Sequence, residues 1–134
     1  MAERKQTVMD LVADGLVRHG VSVIFGQSVP TALVLACEDR AIRNITYRQE
    51  NMGGAMADGF ARASGRVPVM ICQNGPAAAL AVAPFAEAMR AGVPIVALMQ
   101  EIDRRHLGKN AFPGIRPWSA ILGRYQVVPV AREH

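Results

Sequence analysis

Apolar positions along the chain switch repeatedly between helical and extended spacing, which predicts alternating helices and strands. From residue 7 to residue 19 the apolar side chains repeat as one face of a helix, with a capping-box start at Thr7 and Asp10. Three further helices are predicted at about 30–37, 50–64 and 77–90.

Four short runs rich in apolar and β-branched residues follow these helices and predict strands at residues 21–25, 42–47, 67–72 and 93–99. Strands without polar alternation are typical of a parallel sheet that is buried on both faces. Because these strands alternate with helices, we predict an open, doubly wound α/β domain with helices on both faces of the sheet.

Ligands of such sheets bind at the carboxyl ends of the strands, and several candidate residues follow strands directly. They are Gly26, Gln27, Glu50, Gly75 and Pro76. The glycines, the proline and the acidic residue also have a purely structural explanation. Glycine suits a tight turn, proline suits the first turn of a helix, and the helix dipole favours an acidic residue at a helix start. Physical reasoning on the residues alone leaves both interpretations open.

Glycine is frequent in the predicted helix 50–64, which contains Gly53, Gly54 and Gly59. Glycine in a helix interior costs about 1 kcal/mol relative to alanine, so three of them need a structural reason. We expect a close helix–helix contact between subunits, and therefore self-association or association with a partner chain.

The composition is that of one globular domain. Of its residues, 51% are hydrophobic and 19% are charged. The length of 134 residues is short for a complete cofactor enzyme. No apolar run approaches the roughly 18 residues of a membrane span, so we expect a cytoplasmic protein without a membrane partner. Cys37 and Cys72 are expected to be core thiols, and no metal site is predicted.

The net charge of +4 arises in the C-terminal part of the chain. Residues 1–103 carry nine Lys or Arg against ten Asp or Glu, whereas residues 104–134 carry six against one. Basic and aromatic residues do not interleave, and no helix-turn-helix pattern occurs, so we expect no nucleic-acid partner.

The segment from Tyr47 to Arg66 resembles a known signature, R-x-E-x-x-A-x-x-M-A-D-G-Y-A-R-x-S/T-G-R/K, with Phe60 at the position of its tyrosine. This signature belongs to the pyrimidine-binding domain of thiamine-diphosphate enzymes. F-G-Q-S-V-P upstream and Q-N-G-P-A-A-A downstream fall where that family has F-G-x-P-G and G-P-G segments. The resemblance covers residues 7 to about 112 and is nearest to the acetolactate-synthase-like branch.

The resemblance implies thiamine diphosphate as the cofactor and a 2-oxo acid as the substrate. In this family the acidic residue at the position of Glu50 hydrogen-bonds a ring nitrogen of the cofactor's aminopyrimidine, and the activated cofactor attacks the 2-oxo acid. Gly26, Gln27, Gly75 and Pro76 are the further cofactor contacts that it implies. Ala77, in place of a family glycine, departs from the G-P-G pattern.

Family members bind the diphosphate and a divalent metal in a second domain, through a G-D-G motif and an N-N pair. Neither motif occurs in this chain. We therefore expect only the pyrimidine end of the cofactor to bind here, and Mg²⁺ to bind on another domain or a partner chain. A homodimer, or a partner subunit that carries the diphosphate-binding domain, would complete the site, and the chain alone would be inactive.

The resemblance stops after Phe112, where the family continues with F-Q-E-x-D. A coding sequence can be written for Pro-Gly-Ile-Arg-Pro, from Pro113, in which a shift of one base gives Gln-Glu-Phe-Asp-His. The same shift in a coding sequence for Arg-Tyr-Gln-Val-Val-Pro, from Arg124, gives Val-Thr-Lys-Trp-Phe, which is a second family segment. We therefore expect a pyrimidine-binding domain at 1–112 that is incomplete at its C-terminal end. Residues 113–134 are expected to be a frameshifted, poorly ordered basic tail, or alternatively a basic arm for a partner.

Three functions remain open at this stage. The chain is the pyrimidine-binding domain of a thiamine-diphosphate enzyme that decarboxylates or ligates 2-oxo acids, with Glu50 activating the cofactor. Alternatively, it is the small subunit of a two-chain 2-oxo acid decarboxylase, or a non-catalytic α/β module that only pairs with other chains.

Overall fold

A computed structural model describes residues 6–73, 75–106, 109 and 128–130. As far as residue 73, helices and strands alternate as the sequence predicts. In chain order they are α1 Val8–Arg18, β1 Val23–Gly26, α2 Thr31–Glu38, β2 Arg43–Ile45, α3 Glu50–Ser64, β3 Val69–Gln73, α4 Pro76–Leu80, α5 Val82–Arg90, β4 Val96–Gln100 and β5 Val128–Val130, with one 3-10 turn at Arg104–His106.

All described strands form one parallel sheet in the order β2-β1-β3-β4-β5. The chain runs from β1 outward to β2, returns past β1 and continues with β3 on the other side. The direction of winding therefore reverses between β1 and β3, and the crevice at the carboxyl ends of these two strands is where open α/β sheets bind ligands. The predicted doubly wound α/β fold is confirmed.

Side chains of the central strand β3 alternate between two hydrophobic cores. Val69 and Ile71 face one core, which lies under α1 and α2 and includes Leu33. Met70 and Cys72 face the other core, under α3, α4 and α5. Because β3 is covered on both faces, its sequence reads as a continuous apolar run.

The α1–α2 layer is fixed by hydrogen bonds and ion pairs around Asp10. The predicted capping box is present: the Thr7 hydroxyl accepts a bond from the Asp10 amide, and the Thr7 amide donates to the Asp10 carboxylate at 2.9 Å. Arg40 follows α2 and donates to Asp10 at 3.3 Å and to Asp14 at 2.6 Å. The bonds from Arg40 therefore join the end of α2 to α1.

The predicted single helix 77–90 is wrong, because the structure has two helices, α4 and α5, that meet at Ala81. The reason is Pro84, which has no amide proton and would clash with the carbonyl of the residue four positions earlier in a continuous helix. With the break at Ala81, Pro84 lies in the first turn of α5, where an amide has no partner within the helix.

Of the expected tail, residues 113–134, the structure describes the strand β5. This strand extends the parallel sheet, with Leu98 opposite Val128 and Gln100 opposite Val130. Pro129 cannot donate a ladder hydrogen bond, and such residues are confined to the edges of sheets. The rest of the expected tail lies outside the described residues, so the domain end at 112 and the shifted reading frame stay predictions.

Candidate functional site

Glu50 is the first residue of α3 and lies at the carboxyl edge of the sheet. The residue before it, Gln49, has an extended backbone and makes no side-chain capping bond. Glu50 is half-buried. Burial and, to a smaller extent, the negative charge of Glu50 raise the pKa of the Cys72 thiol in β3 to about 12. A carboxylate at this place is accessible and within electrostatic reach of the central strand.

Tyr47 lies under the first turn of α3. Its side chain is buried, and its hydroxyl donates a hydrogen bond of 2.8 Å to the carbonyl oxygen of Ile71 in β3. A Cβ atom on Gly53 would be 2.5 Å from Cδ1 of the Tyr47 ring, which is closer than real atoms approach. Gly53 therefore allows the ring to pack against the helix backbone.

Gln27 follows β1 and connects it to the loop that precedes Glu50. Its side-chain Nε2 donates to the carbonyl oxygen of Arg48 at 2.9 Å. Gly26, the last residue of β1, is buried, and a Cβ atom there would be 2.4 Å from Cγ1 of Ile71. The absence of a side chain at Gly26 is therefore explained by packing against β3, and only its backbone is left for contact with a ligand.

Gly75 and Pro76 form the turn from β3 into α4. Gly75 is buried and has φ 72° and ψ −132°, a conformation that side-chain-bearing residues rarely adopt. Pro76 begins α4 and is exposed, as expected for a proline in a first helical turn. The sequence-predicted residues thus lie at the carboxyl ends of β1 and β3 and at the start of α3, along one edge of the sheet.

Sequence reasoning assigned no role to Tyr47, although two signals were available. A tyrosine stands three residues before the acidic residue, and a glycine stands three residues after it. That Tyr47 and Gly53 contact each other can be seen only in the structure, where α3 places Gly53 over the Tyr47 ring.

Two of the three glycines in α3 make close contacts within the chain. Gly53 contacts Tyr47, and a Cβ atom on Gly54 would be 2.5 Å from Cγ of Pro84 in α5. Gly59 has nothing within 4 Å of such an atom and is exposed. The close helix contact predicted for this segment therefore exists at Gly54, but it lies between α3 and α5 and carries no evidence for a subunit interface.

Metal ligands do not cluster in the described part of the chain, where no three His, Cys, Asp or Glu side chains could hold an ion. Cys37 and Cys72 are buried and free, and burial raises the pKa of Cys37 to about 11. Among the same residues, no helix is both long and apolar enough to cross a membrane.

Residues 6–118 match the family described as thiamine pyrophosphate enzyme, N-terminal TPP binding domain. The chloroplastic acetolactate synthase 3 of Brassica napus is 36% identical over 107 residues, which cover 77% of this chain and 16% of that protein. The acetolactate synthase of Mycobacterium bovis is 33% identical over 117 residues, 84% of this chain and 19% of that protein. The chain thus spans less than a fifth of these relatives.

Among solved structures, an enzyme from Mycobacterium smegmatis, described as thiamin diphosphate-dependent, superposes with a TM-score of 0.80. The match covers 90% of this chain and 23% of that chain, at 21% sequence identity. At this level of identity the similarity shows that the fold is shared.

Proposed function

The chain belongs to the thiamine pyrophosphate enzymes, as a form of their N-terminal TPP binding domain, and we propose that it is the pyrimidine-binding half of an enzyme acting on a 2-oxo acid. Thiamine pyrophosphate and thiamine diphosphate are two names for the same cofactor. The identity to two acetolactate synthases supports decarboxylation or carboligation of a 2-oxo acid as the reaction.

The observation that carries this proposal is the placement of Glu50 at the start of α3, beside the β1–β3 crevice. Glu50 is half-buried, so part of its side chain stays open to a ligand. A carboxylate accepts hydrogen bonds and, when protonated, donates one, so it suits a ring nitrogen of an aminopyrimidine. Glu50 would hold or pass a proton at that nitrogen.

The residues around Glu50 would orient the ring. Gly75 shapes the turn at the end of β3, in a conformation that glycine favours. Gln27 fixes the loop before Glu50 through Arg48, and Gly26 and Pro76 contribute through their backbones. When bound, thiamine diphosphate supplies an electron sink for the 2-oxo acid. The chain's own residues supply binding, orientation and the proton-bearing group.

We propose that the diphosphate and Mg²⁺ bind on another domain or on a partner subunit, and that this chain alone is inactive. The described residues include no acidic cluster able to hold the ion. A second copy of the enzyme's subunit, in a homodimer, or a separate partner chain would supply the missing half.

The test is to compare the affinities of the purified chain for thiamine and for thiamine diphosphate, with and without Mg²⁺. We expect both compounds to bind equally and independently of Mg²⁺, because only the pyrimidine end is held. Glu50→Gln should weaken both by about tenfold, since a charge-assisted hydrogen bond is lost. The matched control is Glu38→Gln, at an exposed glutamate of α2, which should bind as the wild type does.

Stronger, Mg²⁺-dependent binding of thiamine diphosphate would contradict the proposed half-site. Unchanged affinity in Glu50→Gln would remove Glu50 from the site.

Two other functions are favoured by specific features. One is the small subunit of a two-chain 2-oxo acid decarboxylase, since the described residues hold no cluster of His, Cys, Asp or Glu that could bind Mg²⁺. Met52, with 56% of its surface exposed, and the open position at Gly59 also fit a non-catalytic module that pairs with other chains through α3. Co-purification with a diphosphate-binding chain supports the first. Pairing in the absence of any thiamine binding supports the second.

A further inference from the structure

Tyr47 connects the first turn of α3 to the centre of the sheet. Only 4% of its surface is exposed. One face of the ring touches Gly53, where a Cβ atom would be 2.6 Å from Cε1 as well as 2.5 Å from Cδ1. The other end of the side chain, the hydroxyl, bonds to Ile71, which is fully buried in β3.

The Tyr47 hydroxyl remains a hydrogen-bond donor at all ordinary pH values. Burial raises its pKa far above the usual range, and the neighbouring Cys72 and Glu50 raise it further. The bond to the Ile71 carbonyl therefore does not depend on pH where the chain is folded.

Besides Tyr47, the start of α3 is held by the bond from Gln27 to the Arg48 carbonyl oxygen and by the packing of Gly54 against Pro84. Gln49 makes no side-chain capping bond, and the Asn51 side chain bonds only to the neighbouring amide of Met52 among the contacts described. The Gly53 amide donates to the Gln49 carbonyl at 3.0 Å, which closes the turn that carries Glu50. Since Gly53 rests on the Tyr47 ring, the position of this turn depends on Tyr47.

We propose that Tyr47 is a positioning residue for Glu50, with Gly53 as the small residue that lets the ring reach the helix. The ring sets the height of the first turn above the sheet, and the hydroxyl fixes the ring to β3. Together they determine where the Glu50 carboxylate meets a pyrimidine ring. This inference rests on the function proposed for Glu50.

The test is a double-mutant cycle on the full chain, with thiamine as the probe and affinity measured by NMR titration. The variants are Tyr47→Phe, Glu50→Gln and the double variant. Tyr47→Phe should weaken binding by about fivefold, because a ring released from Ile71 lets the Glu50 carboxylate shift away from the pyrimidine. In the Glu50→Gln background the same change should have no effect, because its influence passes through the carboxylate.

The control is Ser64→Ala, in the last turn of the same helix. The Ser64 hydroxyl also donates to a backbone carbonyl, that of Phe60, at 2.6 Å, but it is far from Glu50 along α3. This variant should bind thiamine like the wild type in both backgrounds. Gly53→Ala provides a second disturbance, since its methyl group presses on the ring while the hydroxyl is kept, and it should reproduce the Tyr47→Phe result.

A second readout does not require a ligand. With ¹³C-labelled glutamate, the carboxyl carbon of Glu50 is assigned by its loss in Glu50→Gln. Tyr47→Phe should shift this signal and leave those of Glu38 and Glu87 in place, and Ser64→Ala should shift none of the three.

Four outcomes decide the matter. Selective loss in the wild-type background with a shifted Glu50 signal supports the positioning role. Equal loss in both backgrounds, or no loss in either, overturns it. If Glu50→Gln itself binds thiamine normally, the function proposed for Glu50 fails, and the positioning role fails with it. If the wild type binds no thiamine, the proposed function fails for the isolated chain, and an unmoved Glu50 signal in Tyr47→Phe overturns the positioning role independently.

Discussion

The two helical layers on the sheet are held by different kinds of contact. The α1–α2 layer is tied by charged and capping side chains, chiefly Asp10 and Arg40. The α3–α5 layer is joined by close backbone approach, with Gly54 against Pro84 and Gly53 against Tyr47. Charged contacts fix one layer without using the carboxyl edge of the sheet. Close packing fixes the other layer and leaves the acidic group at the start of α3 available for a ligand.

The largest effect should come from filling the close contact between α3 and α5. Gly54→Ala would place a methyl group 2.5 Å from Cγ of Pro84, whose ring cannot rotate away. The helices would have to separate, and we expect a loss of about 3 kcal/mol in the free energy of unfolding, measured by urea denaturation. Wild-type stability in this variant would show that the layer is not held by close approach.

A smaller effect should appear in the charged layer at low pH. The hydrogen bond from Arg40 is the main cause that holds the pKa of Asp14 below its ordinary value. A carboxylate with a depressed pKa in the folded state stabilises the fold above its unfolded-state pKa, and this contribution disappears as the pH falls through the folded-state value.

Melting temperatures should therefore fall more steeply below about pH 4 in the wild type than in Arg40→Met. The matched control is Arg62→Met, which removes an exposed ion pair with Asp58 within one helix, at 2.7 Å. Between pH 4 and 2, the fall of the melting temperature should be closer to that of the wild type in Arg62→Met than in Arg40→Met. Parallel pH profiles for Arg40→Met and the wild type would remove the contrast between the layers.

The smallest effect should have the opposite sign. Gly59→Ala is the same substitution as Gly54→Ala in the same helix, but at a position with nothing within 4 Å. Alanine is the better helix former, so the free energy of unfolding should rise by about 1 kcal/mol. Destabilisation of the isolated chain would mean that Gly59 has a packing role. A gain in stability combined with weaker association would place a partner on this face of α3.

The sequence was sufficient to predict the alternation of elements, the sheet type and the start of α3 at Glu50. These features depend on periodicity and on residues within a few positions of each other. The contacts that define the site were not predictable in this way. Tyr47 meets Ile71 across 24 positions, and Arg40 meets Asp14 across 26, so both become visible only when the chain is folded.

The break at Ala81 is an intermediate case. Pro84 was visible in the sequence, and its effect on a continuous helix is local. Alanine-rich helical periodicity on both sides obscured it. The glycines of α3 predicted a close helix contact, and two of them are explained by Tyr47 and Pro84 of the same chain, while the contact with another subunit stays a prediction.

The position of β3 between β1 and β4 has a consequence for folding kinetics. β1 pairs with β3 across the long segment that carries α2, β2 and α3, as Ile24 does with Val69. Contacts that close such long loops slow the folding of a chain. Since α3 lies inside the loop that closes, the sheet and the turn carrying Glu50 should form in the same late step, and a chain that has not closed its sheet would have no ordered carboxylate to offer.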